Sequence, residues 1–334
     1  MGMLDELREQ PDVIARLLAA DHAVERITKL ADDCTHVVIA ARGTSDNAAR
    51  YAQYVWGARN RLTVGLTTPS LFGPLDAPPS LAGALVVGIS QSGESPDLIR
   101  VLQSARRQGR PTLAITNRPG SPLAEQADIV LDICAGPERA VAATKTYSAS
   151  LAAVALLSEA MAVGGSADLG GLAGLVQEVI DGPGVPMADT LVESERCVVV
   201  GRGYQLATTF EWALKLQELT NMLAQPYSAA DFFHGPVAVV EKGFPMLIVA
   251  TSGPTYEQMA SLAGDLVERG CHVITMTDRP DTPGHQTVAL PQADPWLAPI
   301  VAAPALQRFS HDLAIARGLD PDGPRGLTKV TRTR

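Results

Sequence analysis

Cysteine is scarce in this chain. Its 334 residues include four, Cys34, Cys134, Cys197 and Cys271, far apart and with no CxxC pair. That argues against a disulfide framework or a structural zinc site, and makes a reducing cytoplasm the default compartment. Aromatic residues are few, at 4%. A basic excess is missing too: 27 Lys and Arg face 36 Asp and Glu, for a net charge of −9. No basic stripe suggests a nucleic-acid binder. A small anionic substrate remains compatible, because it needs one local site and not a basic protein. The start MGMLDELREQ lacks the basic-then-apolar order of a secretory leader. The apolar run Leu151–Leu157 is far too short to span a bilayer, so no membrane partner is expected. Nothing calls for a metal or an organic cofactor. What is abundant is hydrophobic residue (46%), Gly (29) and Pro (24). This suits an Ala/Val/Leu/Gly-rich α/β chain with one large or two medium domains.

The chain repeats itself at an offset of 160 to 162 residues. Val37–Gly43 returns as Cys197–Gly203, with Arg42-Gly43 falling on Arg202-Gly203. Leu85–Ile89 with Ser92-Gly93 returns as Leu247–Ala250 with Ser252-Gly253, and Asn117-Arg118-Pro119 returns as Asp278-Arg279-Pro280. Gly73-Pro74 is echoed by Gly235-Pro236. Several pairs in one order indicate two copies of one domain, at a period too long for a solenoid. Within a copy, short runs such as Val37–Ile39, Leu85–Ile89 and Thr112–Ile115 lack polar alternation and read as strands buried on both faces. Segments of helical length such as Pro96–Gln108 lie between them. The alternation predicts parallel sheets sandwiched by helices. The expected layout is an N-terminal helical segment over 1–34 and a first domain over 35–165. A second domain over 190–317 and a tail over 318–334 follow. Gly-rich 163–174 lies between the copies as a linker region.

Ser90-Gln91-Ser92-Gly93-Glu94-Ser95-Pro96 follows the second strand of the first copy. Pro96 fits the first position of a helix. Hydroxyls, an amide and a glycine at a strand-to-helix turn suit a phosphoryl group, and equally suit a Ser-rich helix cap without a ligand. The second copy offers Thr251-Ser252-Gly253-Pro254-Thr255, with fewer donors. Arg42-Gly43-Thr44-Ser45-Asp46 is a second such turn; it is not GxGxxG, which disfavours a dinucleotide. Val141–Thr146 is a third, where Lys145 could touch an anion or be a solvated cation. Lys215 and Glu218 share a helix face at i, i+3, either as a surface ion pair or as a base held beside a cation. His234 precedes Gly235-Pro236 and reads as a loop residue. In the tail, Pro321 and Pro324 exclude a continuous helix.

Taken in order, Ser90–Ser95, Ala142–Lys145, Ala213–Glu218, His234-Gly235-Pro236 and Gly318–Arg325 resemble the sugar isomerase (SIS) family. Within it the chain resembles the isomerase part of glucosamine-6-phosphate synthase and the aminosugar-6-phosphate deaminases. The resemblance implies two tandem SIS domains. It implies phosphate binding by Ser90, Gln91, Ser92 and Ser95, with Thr44 and Ser45 nearby, and sugar contacts at Val141 and Ala143. It makes Glu218 the base moving a proton between C1 and C2, with Lys215 beside it. His234 assists ring opening from the partner subunit, implying a homodimer with a shared active site. Lys329 matches the family's Schiff-base lysine, whose amine must be neutral to act, so that burial or a neighbouring cation would have to lower its pKa.

Three departures bear on activity. Only some 35 residues precede the first copy, leaving no room for a glutaminase domain. Arg42 and Ala143 replace the synthase's cysteine and serine. These point to an aminosugar-phosphate deaminase/isomerase, converting glucosamine 6-phosphate to fructose 6-phosphate and ammonia. The alternatives are a fructosamine-6-phosphate deglycase, glutamine-independent synthesis of glucosamine 6-phosphate, and a non-catalytic sugar-phosphate sensor.

Overall fold

A computed structural model describes residues 2–162, 169–185, 187 and 189–329. Residues 163–168 of the expected linker, and with them the end of the 35–165 domain, lie outside the described residues, as do 330–334 of the tail. The chain divides into two compact units, each with one sheet. The first comprises Asp12–Glu138, Lys145–Gly171 and the segment from Thr328; the second comprises Met1–Pro11, Arg139–Thr144 and Leu172–Leu327.

In the first unit the strands are β1 (His36–Ala40), β2 (Thr63–Leu66), β3 (Ala84–Ser90), β4 (Thr112–Thr116) and β5 (Ile129–Asp132). They pair in parallel in the order β2-β1-β3-β4-β5. In the second, β6 (Arg196–Gly201), β7 (Leu223–Ser228), β8 (Pro245–Val249), β9 (His272–Thr277) and β10 (Gln286–Ala289) repeat that order as β7-β6-β8-β9-β10. All of these pairs are parallel as well. Each strand of the second sheet starts 157 to 161 residues after its counterpart, so the internal repeat is a repeat of topology.

The central strands β3, β4 and β8 are buried at every position. Apolar side chains on both faces require helices on both faces, which explains why these runs show no alternation. Gly88 on β3 illustrates the packing: a Cβ there would lie 3.1 Å from Leu102 Cδ1 on helix Pro96–Arg107. The missing side chain lets that helix lie close to the strand. The helix begins at Pro96, as its sequence indicates, with Ser95 extended before it. The N-terminal segment forms three helices, Met3–Arg8, Gln10–Ala19 and Val24–Asp32, and it is divided between the two units. No helix among the described residues is long and apolar enough to cross a membrane.

Leu102 is fully buried in a cluster with Val86, Leu98 and Leu123. Leu102→Ala should cost about 2–5 kcal/mol of stability. Urea unfolding should show a lower midpoint with an unchanged slope.

Candidate active site

In a sheet of order 2-1-3-4-5 the chain leaves β1 and β3 in opposite directions. Ligands settle outside the carboxyl ends of these two strands. In the first unit those ends lead into the two turns singled out by their hydroxyls. After β3, Ser90 is buried, while Gln91, Ser92 and Ser95 are half-buried. The Ser90 hydroxyl accepts from the Gly93 amide at 3.1 Å and the Ser92 hydroxyl from the Glu94 amide at 3.3 Å. The amides of Ser92 and Ser95 have no protein partner among the described residues. Gly93 has φ +62°, and a Cβ there would lie 2.0 Å from Ser121 Oγ. The turn therefore depends on glycine. After β1, Thr44 and Ser45 open helix Thr44–Asn60 and are half-buried. Arg42, just before them, donates from Nε to Asp97 at 2.8 Å.

The second unit makes the same turn and fills it with its own carboxylate. The Ser252 amide, counterpart of Ser92, donates to Asp278 Oδ1 at 2.7 Å. Thr251 Oγ1 accepts from Gln205 at 3.0 Å. An anion at the Ser252 amide would meet the charge of Asp278. In the first unit the residue at that place is the neutral Asn117. Its side chain is spent on Ala135 N (3.0 Å) and the Gly136 carbonyl (2.7 Å). Of the two turns, the first leaves its Ser amide without a protein partner among the described residues.

Helix Leu206–Thr220 carries the second constellation. Lys215 is fully buried, which removes the surface-pair reading. Its ammonium meets Glu218, as the i, i+3 spacing indicates, and also Glu211 at 3.3 Å, one turn the other way. Glu211 is fully buried, whereas the Glu218 side chain keeps 23% of its surface exposed. Burial alone would lower the lysine pKa, but the two carboxylates reverse this and the net shift is upward. The amine stays protonated, and only one of its two carboxylates is open to solvent.

The segment before helix Lys145–Met161 is anchored in the second unit. Ala140 and Ala142 pack with Met3, Leu219 and Ala314, leaving the alternate residues Val141 and Ala143 half-buried. Leu219 follows Glu218, so the segment that holds Val141 and Ala143 and the end of the helix that carries Glu218 share one small core. Buried Glu6 accepts from the Arg139 and Ala140 amides. Gln307 donates to the Thr144 carbonyl at 3.2 Å and accepts from Gln10 at 2.8 Å. Lys145 is buried, so it is not a solvated helix-start cation. His234 is exposed at the end of the short helix Ala229–Phe233.

Lys329 belongs to the first unit and is paired with Glu138 at 2.7 Å. Glu138 is buried and also accepts from Thr146 N (3.1 Å) and Oγ1 (2.8 Å). A neutral amine was expected to need a neighbouring cation or burial. The structure places a carboxylate beside Lys329 and leaves its side chain 22% exposed. Glu6, Glu138, Glu211 and Gln307 are the polar residues here that the sequence reading did not single out. Glu211 alone carried a local signal, its i, i+4 spacing to Lys215.

The model of the SIS domain family matches residues 30–160 and 190–288. The glutamine–fructose-6-phosphate aminotransferase (isomerizing) of Thermus thermophilus is 34% identical over 98% of this chain. The Thermococcus kodakarensis protein of the same name is 31% identical over 98%. This chain spans 58% and 57% of their respective lengths. Among solved structures, the C-terminal domain of glucosamine-fructose-6-phosphate aminotransferase from Francisella tularensis superposes with a TM-score of 0.84 at 26% identity. That match covers 96% of this chain and 98% of the other. Glucosamine-6-phosphate deaminase from Thermotoga maritima gives 0.80 at 23% identity over 99% of each chain, a likeness of fold.

Lys215→Met would leave Glu211 buried without its cation, and should cost about 3–5 kcal/mol. The lysine's pKa is raised on folding. Its stabilisation is therefore complete below the ordinary lysine value of about 10.4 and is lost as pH rises through the higher folded value. Denaturant unfolding should show that alkaline decline in the wild type and not in the variant.

Proposed function

The chain belongs to the SIS domain family, and from that premise we propose that it is an aminosugar-phosphate deaminase/isomerase. The substrate is glucosamine 6-phosphate, and the products are fructose 6-phosphate and ammonia. The observation that carries this reading is the half-exposed carboxylate of Glu218, held by a lysine that is fully buried and protonated. A sensor has no need of such a base. Sugar-phosphate isomerisation is the broader activity that the reading rests on; deamination is its finer part.

The phosphate is assigned to the turn of Ser90, Gln91, Ser92 and Ser95, with Thr44 and Ser45. The hydroxyls and the Ser92 and Ser95 amides, which have no protein partner among the described residues, donate to an anion without adding charge. His234 is assigned to ring opening and, acting from a partner subunit, would make the enzyme a homodimer. Val141 and Ala143 border the sugar. Glu218 removes the proton from C2 of the open-chain amino aldose and returns a proton to C1. The C2 amine thereby becomes a 2-imine and the C1 aldehyde a hydroxymethyl group. Water adds to the imine carbon and ammonia leaves, so one water is consumed for each ammonia released. Lys329 offers a second route: its amine adds to the imine carbon, ammonia leaves, and water then cleaves the resulting lysine ketimine to fructose 6-phosphate and the free amine. That route requires the amine to leave Glu138 and give up a proton first.

The test is ammonia release from glucosamine 6-phosphate. Glu218→Gln should lower turnover ~100-fold or more while sugar-phosphate binding persists. Lys329→Ala separates the two routes: direct hydrolysis predicts retained release, exchange predicts its loss. Thermal stabilisation by the sugar phosphate without any ammonia release would instead favour the sensor or a substrate with another N-substituent.

A further inference from the structure

We propose that Arg42 is a binding residue for the phosphoryl group of the substrate and supplies the one cationic contact in a turn otherwise built of neutral donors. This rests on the phosphate assignment made above. Arg42 follows β1 and Asp97 is the second residue of the helix after β3, so their 2.8 Å contact joins the two turns at the carboxyl ends of these strands. The contact uses Nε alone. The Arg42 side chain is 49% exposed, against 11% for Asp97, and its two Nη groups have no protein partner among the described residues. A guanidinium fixed through Nε keeps its Nη edge in one plane, a geometry suited to paired bonds to phosphoryl oxygens.

The second unit provides an internal control. Arg202 stands at the place of Arg42, and Glu257 at that of Asp97, one position into helix Tyr256–Glu268. Among the described residues no ion pair joins Arg202 to Glu257. That unit is also the one whose turn is closed by Asp278. The tethered arginine thus accompanies the open turn and is absent from the closed one. Asp97 contributes as well. It cancels part of the arginine's charge and holds the guanidinium without occupying the Nη edge.

A purely structural strap between the turns is the competing role, and the two roles predict different variants. The experiment is calorimetric titration with glucosamine 6-phosphate in a Glu218→Gln background, so that turnover does not consume the ligand. Glucosamine and inorganic phosphate serve as comparison ligands. Arg42→Ala should weaken sugar-phosphate and phosphate affinity ~10-fold or more. Arg42→Lys should lose less, Asp97→Asn should not weaken binding, and the salt dependence of affinity should flatten in Arg42→Ala. Equal weakening by Arg42→Ala and Asp97→Asn would show a strap and overturn the proposal, as would an Arg42→Ala variant with unchanged affinity. In either case the phosphate assignment itself would stand. A parent protein that binds neither phosphate nor sugar phosphate would overturn both.

Discussion

A lysine ammonium with no access to water is tolerable only where carboxylates replace its hydration. Lys215 meets that condition twice over, and the rest of the site follows from it. Glu211 alone would neutralise the cation. Glu218 is the second carboxylate at the ammonium, and its side chain keeps some exposure. The helix that carries all three residues is held by Trp212 packing edge-on to Phe309 at 5.2 Å and by Leu219 in the core beneath Val141 and Ala143. Glu218 is therefore positioned by the interior of its unit and not by a loop.

Duplication explains how the rest could diverge. Two sheets of identical strand order present two equivalent turns. Asp278 accepts from the Ser252 amide and occupies its turn, whereas Asn117 at the equivalent place is bonded to Ala135 and Gly136. The closed turn stabilises itself with an internal charge-assisted bond. In the first unit's turn the Ser92 and Ser95 amides have no protein partner among the described residues, and Arg42 is tethered to Asp97.

The buried strands and the Pro96 helix start were legible because they depend on local pattern. Val, Ile and Leu runs without alternation have few other uses, and proline at a first helical position is a backbone effect. The surroundings of the charged residues were not legible in the same way. Ten of the fifteen positions of helix Leu206–Thr220 are buried, so no polar stripe marks which side Lys215 occupies, and a lysine in such a helix reads as a surface residue. Glu138 and Lys329 are 191 residues apart, and the closure of the second turn depends on a residue 26 positions away. Such partnerships are set by the topology that brings strand ends together and have no local signature.

The central claim is that Glu218 moves a proton from C2, and substrate deuterated at C2 tests it most directly. The account predicts that the wild type yields fructose 6-phosphate with the label removed from C2 and found at C1 or in solvent, and that Glu218→Gln stops this transfer. Release of ammonia with deuterium still on C2, giving an aldose 6-phosphate by direct displacement, or label transfer at the wild-type rate in Glu218→Gln, would contradict it.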